Sequence, residues 1–501
     1  MRTYFNSKSW LLIPLLFLFL TEFIPIVCAG ENSPEFLWAK QLGGTKENIG
    51  EGIVADKAGN IYVTGFLDFE NYPSIGTHIW HTKGGKVFLA KYDSTGKLLW
   101  LKKASGGRKN KDHAKGYAVA VDDFGYIYVT GYFNGKINFD DIEFVAHGYQ
   151  DAFLAKYDAD GKLIWVRQSG GAGGFCEAWG VAADKKGNVY ITGNFVGKAM
   201  FGTSETISKS GINPGHQSDV FLVKYDSSGN VLWLCQAGEA GENTGFGVAV
   251  DSQENVFIVG RGNVSINFDQ TKITNSLEDN LNGFITKYNR DGKVLWAQAT
   301  AGLYMGERNN IAVDKVGNVF VAGSFNFNPK FGGISLTAKP ERNDDIFLVK
   351  YDADGKILWG KSAGGTGLDH CLGVATDETG NVYMVGDFME SADFGNIHVQ
   401  GKPEDSRLGP YSPLFVAKYN SVGDAIWIKT VDKADGYFIK AGMITGLGIA
   451  VDANNGIYIT GDFGGIYAPI SFDSILLKPA GNFFTGKGED IFVAKLGTGG
   501  N

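Results

Sequence analysis

Apolar residues occur in short runs along almost the whole chain, and polar turn residues close each run. The segment from Val87 to Trp100 reads VFLAKYDSTGKLLW: an apolar stretch, a polar turn containing Gly, and a second apolar stretch ending in Trp. The same arrangement returns at 152–165, 220–233, 283–296, 346–359 and 414–427, and a last copy starts at Ile491 but stops before its Trp. A second motif, GNIYVTG at 59–65, recurs at 125–131, 187–193, 254–260, 317–323, 380–386 and 456–461. An alternating run ending in Asp precedes each copy, at Asp56, Asp122, Asp184, Asp251, Asp314, Asp377 and Asp452. Period-2 alternation with β-branched and aromatic residues predicts strands, and no window shows the 3.6-residue period of a helix. Each unit holds four such strands: A ends in the Asp, B is the Asn-Val-Tyr run, C the Phe-Leu-Ala-Lys-Tyr run, and D carries the Trp. Seven units at a spacing of about 65 residues predict an all-β, seven-bladed β-propeller with four antiparallel strands per blade, because radial repetition removes exposed sheet edges. A stacked solenoid is the alternative, but its coils are usually much shorter.

The ends of the chain extend this reading. The last unit lacks strand D, whereas Phe36–Leu42, near the beginning, is a D-type strand without a blade and carries its own Trp38. Residues 35–43 are therefore expected to form the outer strand of blade seven. Trp38, Trp100, Trp165, Trp233, Trp296, Trp359 and Trp427 then make one Trp per blade, each expected to be largely buried at a blade interface.

The GNVYVTG and DIFLVKYDADGKILW signatures, with the inner strand ending in Asp, resemble the SBBP-type β-propeller repeats of bacterial secreted and surface proteins. The resemblance covers nearly the whole chain after the leader and implies a propeller in an exported, bacterial setting; it implies no reaction. Blade six departs from it at Gly423-Asp424-Ala425. The Asp-x-x-Gly-Lys-x-x-Trp stretch is also similar to the tryptophan-docking motif of quinoprotein dehydrogenases, which implies a packing role for the Trp and nothing more.

Composition narrows the function classes. Gly is 71 of 501 residues and Pro only 12, which excludes collagen and Pro-rich disorder. The net charge of −8 argues against nucleic acid and anionic membranes as main partners. Residues 1–29 read as a signal peptide: Arg2 and Lys8, an apolar stretch over 10–20, then Val27-Cys28-Ala29 for cleavage. Pro14, Glu22 and Pro25 interrupt it too often for a membrane span. The protein is thus expected to be exported, secreted or at the cell surface or periplasm, as one domain over 30–501. A lipid anchor at Cys28 is disfavoured by Val27 before it. Cys176, Cys235 and Cys371 are too few and too far apart for a disulfide framework or a zinc site.

Sequence motifs for catalysis, nucleotides and metals do not occur, and no cofactor or metal is expected. His78 and His81 share one loop and read as solvated. The Asp-x-Asp-Gly turns at 158–161 and 352–355 are too short for calcium loops and read as turn chemistry.

Loop length distinguishes the two faces. A–B and C–D turns are short in every unit, whereas B–C and D–A connections are long and lie together on the opposite face. Binding residues concentrate on loops held by a rigid scaffold, so function is assigned to the B–C/D–A face. Each B–C segment is expected to form a small hairpin packed on its own blade. Strand A begins on that face, at the mouth of the central channel. Five residues before each strand-A Asp stand Glu51, Tyr117, Trp179, Phe246, Asn309, Leu372 and Leu447; seven before it stand Ile49, Lys115, Glu177, Thr244, Glu307, His370 and Thr445. The candidate ligand-binding residues are Glu51, Lys115, Tyr117, Glu177, Trp179, Glu307, Arg308 and His370. The expected function is a non-catalytic binding or scaffold module for a protein or glycan partner, monomeric. The alternative is a polysaccharide-cleaving lyase or glycoside hydrolase drawing its acid and base from Glu177, Glu307 and His370.

Overall fold

The short apolar runs pair as the repeat predicts. The computed structural model describes residues 33–43, 47–67, 85–106, 113–209, 217–239, 241–262, 265–274, 282–301, 310–325, 328–338, 344–402, 411–434, 442–464, 469–479 and 489–498. Residues 1–32 with Cys28, the His78/His81 loop, Glu307 and Arg308 lie outside them. Blade two is representative: A is Ala114–Val121, B Ile127–Phe133, C Asp151–Tyr157 and D Leu163–Gly170, paired antiparallel in that order. Seven such sheets form the propeller, their A strands side by side around a central channel, and the described residues contain no helix. Neighbouring blades share apolar clusters, so the core lies between blades rather than within them.

The turns explain two fixed positions of the motif. The strand-A Asp caps its own turn: Asp122 Oδ1 accepts from the backbone N–H of Phe124 and Tyr126 at 3.0 and 2.9 Å. Its other oxygen accepts the hydroxyl of Tyr128 at 2.9 Å. Tyr128 is fully buried, and the Asp answers a phenol that would otherwise cost about 1–3 kcal/mol unpaired. The Asp158 turn works alike, with Oδ1 accepting from Asp160 N and Lys162 N and Gly161 at φ 78°. These acids cap their own backbone, as turn chemistry requires.

Blades dock through the Trp series. Trp165 of blade two donates its indole N–H to the Ser227 carbonyl in the C–D turn of blade three at 3.2 Å, and Lys156 Nζ reaches the same oxygen at 2.9 Å. That Lys lies 5.2 Å from the Tyr128 ring centroid, a cation–π contact that completes the joint. The indole bond repeats from Trp38 to Ser94, Trp100 to Ala159, Trp233 to Arg290, Trp296 to Ala353 and Trp359 to Ser421. Trp427 packs in one core cluster with Phe36 and Leu496 of blade seven. Only Trp38, Trp165 and Trp427 are buried; the other four are half-buried. Strand D is the outermost of the four main strands, so an indole there keeps an edge toward solvent even while its N–H is bound.

The N-terminal strand completes the ring. Phe36–Leu42 pairs antiparallel with Glu489–Leu496, Gln41 standing opposite Phe492, and Trp38 then docks on blade one. Beyond the paired strands, Gly497 N–H donates to the Glu35 carbonyl at 2.9 Å, so Glu35 and Gly497 meet at the A–B/C–D turn face.

The B–C hairpins correct the expectation that each packs on its own blade. The hairpin of Lys198–Phe201 and Ser204–Ile207, from blade three, extends the sheet of blade two, with Phe201 opposite Ser169. Five other hairpins likewise join the preceding blade, so most sheets have six strands. Their aromatic residue still packs at home: Phe201 lies 4.8 Å from Phe221, and Phe139 lies 5.1 Å from Phe153. The open edge of the neighbouring strand D supplies the free N–H and C=O groups that the hairpin needs. Each hairpin thereby straps two blades together.

Candidate functional site at the channel mouth

The start of strand A is shaped by a bulge. In six blades its pairing with strand B slips by one residue, at Glu51, Tyr117, Trp179, Phe246, Leu372 and Leu447. A bulge adds an unpaired residue and re-aims its side chain. The strand-B Gly makes the bulge possible: a Cβ on Gly193 would lie 1.8 Å from the Glu177 carbonyl oxygen, and one on Gly260 would lie 2.0 Å from that of Thr244. Those close approaches hold the residue seven before the Asp in place. Opposite it stands the residue that follows the strand-B Gly. The resulting cross-strand pairs are Lys115 with Tyr132, Glu177 with Asn194, Thr244 with Arg261 and His370 with Asp387.

An aromatic series crosses blades two to four. Tyr117 and Trp179 stack with centroids 4.0 Å apart and planes 14° from parallel, and Phe246 meets Trp179 edge-on at 5.7 Å. Trp179 Nε1 donates to Asn194 Oδ1 at 2.9 Å, which fixes the indole. Beside this series Glu51, only 3% exposed, pairs with Lys115 Nζ at 2.5 Å across the interface between blades one and two. Glu51, Tyr117 and Trp179 line the upper channel with Leu447. Burial and then the Glu177 charge push the Tyr132 phenol up.

Glu177 and Trp179 also line a groove of about 290 Å³ between blades three and four. Phe246, Asn194, Glu242 and Arg261 complete most of its walls. Backbone bridges between Gln150 and Phe175 and between Ser218 and Glu242 bound it on either side.

His370 lies elsewhere, on blade six. Its Nδ1 is 3.2 Å from Asp387 and its Nε2 3.5 Å from Asp344. Burial disfavours its cation, but the two carboxylates outweigh that and push its pKa up to about 10. Next to it, burial raises Asp369 to about 7 against the bonds it accepts from Gly365 N and Met389 N. The structure therefore brings Glu51, Lys115, Tyr117, Trp179 and Glu177 to one side of the mouth and places His370 in a separate acidic cluster. Among the described residues, no group of three or more His, Cys, Asp and Glu side chains is arranged to hold a metal ion.

Asn194, Glu242 and Arg261 were not among the expected residues. A signal for two of them exists: the position after the strand-B Gly reads Phe66, Tyr132, Asn194, Arg261, Ser324, Asp387 and Asp462, varying as the strand-A column does.

The family profile described as SBBP, beta-propeller repeat, matches residues 37–65, which run from the outer strand of blade seven through strands A and B of blade one. The same motifs recur in the other blades. The chain is a seven-bladed β-propeller with a stretch that matches the SBBP repeat. An uncharacterized WD repeat-containing protein of Acanthamoeba polyphaga mimivirus is 24% identical over 92% of this chain. This chain spans 38% of that viral protein's length. Among solved structures, the WD40 propeller domain of Doa1 aligns at TM-score 0.43 and 10% identity, over 93% of this chain and 97% of that one. An ulvan lyase of polysaccharide lyase family PL25 aligns at TM-score 0.42 and 11% identity, over 84% and 93%. The fold rests on the sheet topology of the chain itself. No helix among its described residues is long and apolar enough to cross a membrane.

Proposed function

We propose that this β-propeller scaffold is an exported, non-catalytic binding module that takes a saccharide on its mouth face. The observation that carries the reading is the aromatic series Tyr117–Trp179–Phe246 beside a groove whose other walls are carboxylate, amide and guanidinium groups. Sugars present apolar C–H faces and a rim of hydroxyls, and a half-exposed indole flanked by Glu177 and Asn194 matches both. The cleavage reading has less support: His370, a candidate acid or base, is held by Asp344 and Asp387 on a different blade from Glu177. Binding of the purified propeller to a panel of neutral and acidic oligosaccharides tests the proposal. A specific saccharide is expected to bind, and Trp179→Ala to weaken it about tenfold, a loss of ~1.4 kcal/mol. Capture of a protein partner with no saccharide bound would overturn it.

A further inference from the structure

Arg261 enters the groove with its partners incomplete. Its guanidinium lies 5.6 Å from the Phe246 ring centroid, its Nη2 lies 4.0 Å from Glu242, and 17% of the side chain is exposed. Its Nε is buried and meets no acceptor among the described residues. The part of the side chain that stays exposed is what an incoming acceptor can reach. A guanidinium presents its donors in a planar fork that fits two oxygens of one anionic group. The Phe246 ring and Glu242 hold the fork in place before any ligand arrives.

The rest of the groove has the opposite polarity. Glu177 is an acceptor for hydroxyl groups and repels a second anion, and Trp179 lies beside it. The geometry points to an acidic sugar as the occupant: its carboxylate or sulfate on Arg261, its ring along Trp179 and its hydroxyls toward Glu177. This deepens the saccharide reading above and rests on it.

The test is calorimetric titration of the whole propeller with three probes: an oligogalacturonate, a sulfated malto-oligosaccharide and the same malto-oligosaccharide without sulfate. At least one anionic probe is expected to bind tenfold or more tightly than the neutral one, and the tighter of the two identifies the anionic group. Arg261→Gln should erase that preference, while Arg261→Lys, which keeps the charge and loses the fork, should retain part of it. Trp179→Ala should weaken all probes alike. Equal affinity for neutral and anionic probes, or a preference that survives Arg261→Gln, would overturn the acidic-sugar inference and leave the saccharide reading standing. No binding of any probe or of the wider saccharide panel would overturn both.

Discussion

Around the turn face the same joint recurs from blade to blade: an indole N–H and a Lys reach one carbonyl of the next blade's C–D turn. Around the mouth, the corresponding column of strand A carries Glu51, Tyr117, Trp179, Phe246, Leu372 and Leu447, and the column opposite is as varied. The joint lies on strands C and D, and the mouth columns lie on strands A and B of the same blades. The difference shows where each blade spends its fixed residues. Docking at the turn face and the strand-B Gly hold the bulge, and with that backbone secured the side chain aimed into the mouth is released from any structural requirement shared by all blades.

The largest test of this division is ring closure. Deleting residues 33–43 strips blade seven of strand D and removes Trp38 from blade one. The loss should exceed about 5 kcal/mol, comparable to the whole stability of many domains, and abolish a cooperative thermal transition. A melting curve unchanged by the deletion would mean that the other blades hold the ring without it.

A smaller effect separates joints within the turn face. Trp165 is 9% exposed and should cost about 3–5 kcal/mol on truncation to Ala. Trp359, half-buried with the same type of bond to a turn carbonyl, should cost about 2 kcal/mol, since less apolar area leaves water. Denaturant titration of the two variants measures the gap, and equal losses would show that the hydrogen bond rather than burial dominates the joint.

The smallest effect lies at the mouth of blade six. The His370 pKa is raised in the folded state, so its ion pairs with Asp344 and Asp387 contribute fully below the ordinary value of 6.5. That contribution is lost as pH rises toward about 10. His370→Gln should therefore flatten the fall in melting temperature across that interval. Parallel curves for the two proteins would sink the assignment of this cluster as the titrating element.

The fold was legible because its signal is repeated: the strand pattern, the turn Asp and the Trp each recur, and counting them also revealed that the N-terminal strand belongs to blade seven. The hairpins show where such reading stops. Asn138-Phe139-Asp140 announces a tight turn and an apolar anchor, but hydrogen bonding to the preceding blade is decided by which neighbouring strand offers an open edge. At the mouth, the strand-A column could be found by counting back from the Asp. The pairing of Glu51 with Lys115 could not, because the two lie in different repeats and meet only when the blades are assembled. Arg261 escaped for a related reason: its column begins where the invariant motif ends.

The bond from Gly497 to Glu35 has a practical meaning beyond closure. It places Glu35 and Gly497 together at the pole opposite the groove. A tether, tag or solid support attached beside Glu35 or Gly497 would hold the molecule by its repetitive face and leave the divergent one pointing away. A protein immobilised in that way offers its mouth to solution, whichever of the two positions is chosen.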